Sequence, residues 1–339
     1  MSWLVDAAEL LERGDPGPTP WLVDGLIADK ALTAIVGRWK TTKSYGMLDI
    51  AISIATGRPA FGRFAIPEPG PVVFVNEESG EAALWRRLDA LCRGRAIRVD
   101  ELRGRLWVAA NKGVKLDAKD WQTKIIEEGR LRPRLFIFDP LARMKAPGRN
   151  ESAQNEISFA IEFMRRLRDE TGAGVAFVHH TGHQGEHMRG SSDLESAWES
   201  RLSWKRDGQA AEVTIEAEHR EAEPSAPFSY RISWDALTRS MRFEPVEAEL
   251  AARVREHLLE YPDASANAVF KAIGGNRDRV LQLVKELREQ VVPELGYHPG
   301  TTPRRPEAGG GTPDPPFRGS GTTPADPPSG VVPHGGYRS

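Results

Sequence analysis

Continuous apolar runs alternate with amphipathic stretches over the first two-thirds of the chain. "ALTAIVG" (Ala31–Gly37) is apolar at nearly every position, and "KSYGMLDIAISIATG" after it repeats apolar residues at helical spacing. The alternation returns in "PVVFVNEE" (Pro71–Glu78) before "EAALWRRLDALC", and in "RLWVAA" (Arg105–Ala110). It returns again in "RLFIFDP" (Arg134–Pro140) before "NEISFAIEFMRRLRDETG", and in "AGVAFVHH" (Ala173–His180). Strands that are apolar throughout, separated by helices, predict a parallel sheet covered on both faces, an α/β fold. After Ala197 the pattern turns antiparallel. "SRLSWKRDGQAAEVTIEAEHRE" reads as two strands about an Asp207-Gly208 turn, and "FSYRISWD" and "SMRFEPV" extend them.

Two changes of pattern divide the chain into residues 1–245, 246–296 and 297–339. In the second part apolar residues recur at helical spacing over Leu250–Leu259, Ala266–Ile273 and Val280–Leu287, with "GGN" between the last two helices. That is the pattern of a small helix-turn-helix or winged-helix unit. Its third helix would carry Asn276, Arg277, Arg279 and Lys285, with Lys271 just before it. The docking rule for such units sets the start of that helix in a DNA major groove, and a module for protein contacts is the alternative. The third part is rich in Pro, Gly, Thr and Ser and almost free of aliphatic residues, so it is expected to be disordered.

Charge excludes little: 46 Lys and Arg face 48 Asp and Glu, so nucleic-acid contact has to come from local patches. The single cysteine, Cys92, cannot pair within the chain, as in a reducing cytoplasm. The opening residues lack the basic and apolar regions of a signal peptide. No apolar stretch is long enough for a membrane span, so a cytoplasmic protein without a membrane partner is expected.

Ligands of open α/β sheets sit beyond the carboxyl ends of the strands, so the strand ends carry the candidate chemistry. The first delivers a loop, Gly37, Arg38, Trp39, Lys40, Thr41, Thr42, Lys43 and Ser44, with Tyr45 next. It reads as a phosphate-binding loop in which Thr42 takes the place of the second glycine. Backbone N–H groups would cradle the phosphates of ATP, Lys43 would reach the β- and γ-phosphates, and Ser44 and Asp139 would hold Mg²⁺. Glu78, ending a strand expected beside the loop strand, is the preferred general base, with Glu77 turned to the other face. His179, His180, His183 and His187 lack a cysteine companion. They read better as a phosphate sensor at His180, with Arg189, Ser191 and Ser192 as the responsive segment, than as a zinc site.

Together these segments resemble the RecA-like ATPases of the RepA type, the hexameric plasmid replicative helicase and its phage and mobile-element relatives. The resemblance rests on "TPWLVDGLI", "IVGRWKTTKSYGMLDIAISIATGRPAFG", "GPVVFVNEES", "LFIFDPLARM", "VAFVHHTGH" and "RGSSDLESAWESRL", in the family's order from Thr19 to Leu202. It implies a RecA-like P-loop core with a mostly parallel sheet, ATP hydrolysis, and a homo-oligomeric, hexameric ring acting on single-stranded DNA. It assigns Lys43 and Ser44 to nucleotide and Mg²⁺, Glu78 to the base, Asp139 to the metal and His180 to sensing. It also implies a basic finger from the neighbouring subunit. Arg220 matches the arginine of the family's Lys-x-Arg, Glu218 replaces the lysine, and Lys205 and Arg206 are the fallback. A DNA-coating recombination or repair ATPase, and a DNA-binding initiator switched by nucleotide, are the competing readings.

Overall fold

The computed structural model describes residues 4–145, 153–181, 197–206, 211–223, 225–274 and 277–294. His183, His187, Arg189, Ser191, Ser192, the Asp207-Gly208 turn, Asn276 and the Pro/Gly-rich segment from 297 lie outside the described residues. In chain order the elements are α1 (Ala7–Glu12), β1 (Trp21–Val23), β2 (Ile27–Ala28), β3 (Leu32–Gly37) and α2 (Lys43–Thr56). There follow β4 (Val72–Asn76), α3 (Glu81–Gly94), β5 (Leu106–Ala110), α4 (Lys119–Glu127), β6 (Leu135–Asp139), α5 (Ala153–Thr171) and β7 (Gly174–His180). The last are β8 (Ser200–Lys205), β9 (Glu212–His219), β10 (Phe228–Asp235), β11 (Ser240–Pro245), α6 (Val246–Glu260), α7 (Ala266–Ile273) and α8 (Arg277–Glu294).

Nine strands form one sheet in the order β11-β10-β9-β8-β3-β7-β6-β4-β5. The six from β8 to β5 run parallel, and β9, β10 and β11 add an antiparallel wing. Two expectations need correction. The strand β8, read as part of the antiparallel region, pairs parallel with β3 and antiparallel only with β9. And β4, which leads to Glu78, is not the neighbour of β3, because β7 and β6 lie between them. Apolar runs show that strands are central but not which ones pair; crossover connections decide that.

The unbroken apolar runs follow from burial on two faces. Along β3, Leu32, Ala34 and Val36 point into a core with Phe163, Met164 and Leu167 of α5, while Ile35 points into the opposite core with Met47, Ile50 and Ile54 of α2. Side chains alternate across a strand, so a strand covered by helices on both faces has no solvent-facing position, and even Thr33 of β3 is buried. The three C-terminal helices enclose a core of their own, Val254, Leu258, Val269, Val280, Leu283 and Val284, and α6 also packs on β10. Among the described residues this unit holds no strand of the kind a wing would add. No helix of the described residues is long and apolar enough to cross a membrane.

Candidate nucleotide site

The parallel register brings the chemistry to one edge. Gly37 at the end of β3 pairs with His180 of β7 on one side and with Trp204 of β8 on the other, and Asn76 of β4 pairs with Asp139 of β6. The carboxyl ends of five strands therefore open on the same side as the start of α2, the position at which open parallel sheets take their ligands.

The loop between β3 and α2 is fixed at both ends. A β-carbon on Gly37, whose φ is 155°, would meet the Trp204 carbonyl oxygen at 2.6 Å, so only glycine fits there. At the N-cap of α2 Thr42 adopts φ 64° and ψ 16°, the left-handed turn that the usual glycine supplies. For a β-branched residue this conformation costs about 1–2 kcal/mol. Two hydrogen bonds accompany it: the Thr42 hydroxyl donates to the Thr41 carbonyl at 2.6 Å and lies 2.8 Å from the Tyr230 hydroxyl. Lys40 is also left-handed, and its ammonium lies over the exposed Trp39 ring. Arg38 and Thr41 contribute oxygens, since the Thr41 hydroxyl donates to the Arg38 carbonyl at 2.7 Å.

The Lys43 side chain is buried beneath this loop. Its ammonium donates to the carbonyls of Gly37 (2.9 Å) and Arg38 (2.6 Å) and to the Thr41 hydroxyl (3.1 Å). Burial pulls its pKa down to about 8, and the carboxylates of Asp139 and Glu78 oppose the shift. Asp139 is buried, and neither of its carboxylate oxygens finds a good hydrogen bond. Burial raises it to about 6; the nearby Ser44 hydroxyl offsets part of this, the Glu78 charge adds to it, and the Arg87 and Lys43 charges pull the other way. The His180 imidazole is pushed down by burial and by Lys43, against Glu78 and the Gly37 carbonyl. Lys43 and Glu78 thus act on both Asp139 and His180, and Ser44 acts on Asp139, although these residues come from separate parts of the chain.

The two glutamates after β4 have different surroundings. Glu77 turns away: its carboxylate accepts from the backbone N–H groups of Lys112, Gly113 and Val114 and holds that loop. Glu78 faces the site. The turn that aims it is built on Asn76, whose side-chain oxygen accepts from the N–H groups of Glu78 (3.1 Å) and Ser79 (2.7 Å).

Some expected residues lie elsewhere. Arg220 follows β9 at the opposite end of the sheet, with its guanidinium over Trp198, and does not reach this cleft. Lys205 pairs with Glu216, whereas Arg206 does reach the phosphate loop, donating to the Lys40 carbonyl at 3.2 Å. In the helical unit Arg277 donates to Asn267, Arg279 sits 3.9 Å from Glu286, and Lys271 is exposed on α7. Sequence reasoning passed over four residues at the cleft. Arg87 of α3 lies over the Tyr45 ring with one buried guanidinium nitrogen lacking a hydrogen bond. Asn76, Trp204 and Tyr230 are buried beside the loop or its supporting turn. The one available signal was Arg87 on the helix that follows the acidic turn.

The donor set suits a small hard cation. Ser44 at the head of α2 and the two unsatisfied oxygens of Asp139 are oxygen ligands of the kind Mg²⁺ takes together with phosphate oxygens.

A family described as an AAA domain matches residues 4–186, just over half of the chain. No curated protein matches the sequence. A solved structure of an ATPase domain superposes with a TM-score of 0.52 at 14% identity, over 69% of this chain and 95% of that one. The RadB recombinase structure gives a TM-score of 0.45 at 14% identity, over 63% of this chain and 91% of that one. At that identity the first likeness speaks for the RecA-like P-loop fold alone.

Proposed function

Because the chain belongs to the AAA domain family, we propose that it is an ATP-hydrolysing motor acting on DNA, of the RepA helicase or replication type, and that it works as a ring of identical subunits. The observation that carries the reading is the convergence of Lys43, Asp139, Glu78 and His180 beyond the strand ends, where Gly37 pairs with His180, Asn76 pairs with Asp139, and Lys43 lies within reach of the Asp139 and Glu78 charges. Such convergence is what phosphoryl transfer to water requires, since catalysis there is mostly positioning and charge stabilisation.

In this reading the triphosphate lies along the N–H groups of the loop and the head of α2. Lys43 gives up its contacts with the Gly37 and Arg38 carbonyls and neutralises the β- and γ-phosphate oxygens. Ser44 and Asp139 would hold Mg²⁺, which would supply further neutralisation of phosphate charge. Glu78 orients a water in line with the γ-phosphate and takes its proton as the oxygen–phosphorus bond forms and ADP leaves. His180, kept neutral by burial and by Lys43, accepts or donates one hydrogen bond at the γ-phosphate and passes its presence to the segment that follows β7. Arg220 serves a neighbouring subunit's site. Lys271, Arg277 and Arg279 make the three-helix unit a grip for DNA, and residues 1–245, 246–296 and 297–339 act as motor, grip and tether.

The deciding experiment measures ATP turnover against single-stranded DNA concentration, with the assembly size recorded in parallel. Turnover that rises with DNA, in a hexamer that displaces a paired strand, is the expected result. DNA-stimulated turnover without strand displacement selects a DNA-coating ATPase, and nucleotide binding without turnover selects a switched initiator.

A further inference from the structure

The Thr42 hydroxyl does not cap the helix it precedes. It belongs instead to a chain of hydrogen bonds that leaves the loop. Trp204 of β8 donates its indole N–H to the Tyr230 hydroxyl of β10 at 2.8 Å, and that hydroxyl lies 2.8 Å from Thr42 Oγ1. Thr42 Oγ1 in turn donates to the Thr41 carbonyl at 2.6 Å. The indole N–H can only donate, and the single Thr42 hydroxyl hydrogen goes to the Thr41 carbonyl, which together set the direction of the chain. Tyr230 accepts from Trp204 and donates to Thr42, and each of the three hydrogens is used once. Tyr230 and Trp204 are among the most deeply buried large side chains of the protein, packed with Phe61 and Phe243, so the chain has a rigid foundation.

Trp204 reaches the loop at two more points. Its backbone and Cβ fill the space beside Gly37, and its ring would meet a β-carbon on Gly46 at 2.9 Å. The start of the loop, its left-handed turn and the first turn of α2 all rest on Trp204 or, through Tyr230, on the same foundation. A glycine at position 42 would adopt the turn freely but would offer Tyr230 nothing to hold.

We propose that Tyr230 is a positioning residue for the nucleotide: through Thr42 it holds the phosphate loop in its left-handed turn and so presents Lys43 to the triphosphate. Threonine in place of the usual glycine is then an anchor point and not a defect. The antiparallel wing thereby has a direct hold on the loop, and α6, packed on β10, lies next to that hold. The inference rests on the ATPase reading for its ligand, but the latch itself is a property of the loop and the strands beneath it.

The test is a double-mutant cycle of Tyr230→Phe and Thr42→Gly, read by titration with a fluorescent ATP analogue and by thermal melting without nucleotide. In the parent, Tyr230→Phe should weaken analogue binding about fivefold to tenfold while changing the rate at saturation less than the affinity. In the Thr42→Gly background the same change should alter affinity by less than about twofold, and the two melting shifts should be non-additive. An equal loss in both backgrounds, or none in either, overturns the proposal and leaves Tyr230 as core packing only. A second pair keeps the question open if Tyr230→Phe misfolds: Thr42→Ala should weaken binding, and Thr42→Ser should recover most of the loss. Equal behaviour of Ala and Ser overturns the proposal. Should the parent bind no nucleotide, the ATPase reading fails, and the melting cycle still decides the latch.

Discussion

The Lys43 ammonium and the Gly37 carbonyl close the phosphate loop on itself, six residues apart and 2.9 Å from donor to acceptor. Two further oxygens of the loop complete the ammonium's three hydrogen bonds. This satisfies a buried cation and fixes the ammonium beneath the loop. Lys43→Ala is expected to reduce turnover at least about a hundredfold, the scale for losing one positioned electrostatic group at a phosphoryl-transfer centre. Steady-state phosphate release checks it, and turnover within about threefold of the parent would remove the site assignment.

Glu77 and Glu78 are neighbours with different surroundings, and the difference can be measured. Glu78→Gln keeps the shape and removes the base, so ATP should still bind while turnover drops about a hundredfold or more. Glu77→Gln weakens the acceptor for three backbone N–H groups at residues 112–114, and its expected effect is on stability, about 1–3 kcal/mol. Chemical denaturation beside a nucleotide-binding titration separates the two. If Glu77→Gln abolished turnover and Glu78→Gln did not, the roles would be reversed.

Much of this was legible in the sequence, and the limits are physical. The apolar runs ending in Gly37, Asp139 and His180 announced buried parallel strands, because only strands covered on both faces lose their polar positions. Alternation alone separated Glu77 from Glu78. The order of the strands was not legible: apolar character carries no pairing code, so β4 was set beside β3 although β7 and β6 come between. The support under the loop was equally hidden. Trp204 and Tyr230 fall in segments read only as antiparallel strands, and it takes the register Gly37↔Trp204 and the Trp204–Tyr230–Thr42 hydrogen bonds to place them beneath the loop. Arg220 illustrates the reverse case, a residue named by resemblance to a family that the strand register sets at the far end of the sheet, over Trp198.

Asp139→Asn tests the cation site. The aspartate is buried with both oxygens unsatisfied, so the amide fits the same space without the charge. Mg²⁺-dependent turnover should fall about a hundredfold, while binding of nucleotide in EDTA should change little by comparison. Turnover that kept its Mg²⁺ dependence would place the cation elsewhere.

The last prediction concerns the ion pair that fixes α2 behind the loop. Asp49, buried on α2, accepts from Arg95 Nη1 at 2.8 Å and from the Phe61 N–H at 2.7 Å, while Arg95 also donates to Ser53 and to the Pro59 carbonyl. Burial alone raises the Asp49 carboxyl, and the Arg95 charge is the main force opposing it. Arg95→Ala leaves a buried anion without its cation, which costs about 3–5 kcal/mol. The pH dependence follows in sign. With its folded pKa raised further above the unfolded value, Asp49 holds a proton more tightly in the folded chain than in the unfolded one. The variant's stability should therefore fall as pH rises from the unfolded carboxyl pKa through the raised folded one, and be regained on acidification over that interval. The parent, with Arg95 in place, should show the weaker dependence. Urea midpoints measured across the acid range for both proteins check the claim, and parallel curves would mean that Arg95 does not govern the ionisation of Asp49.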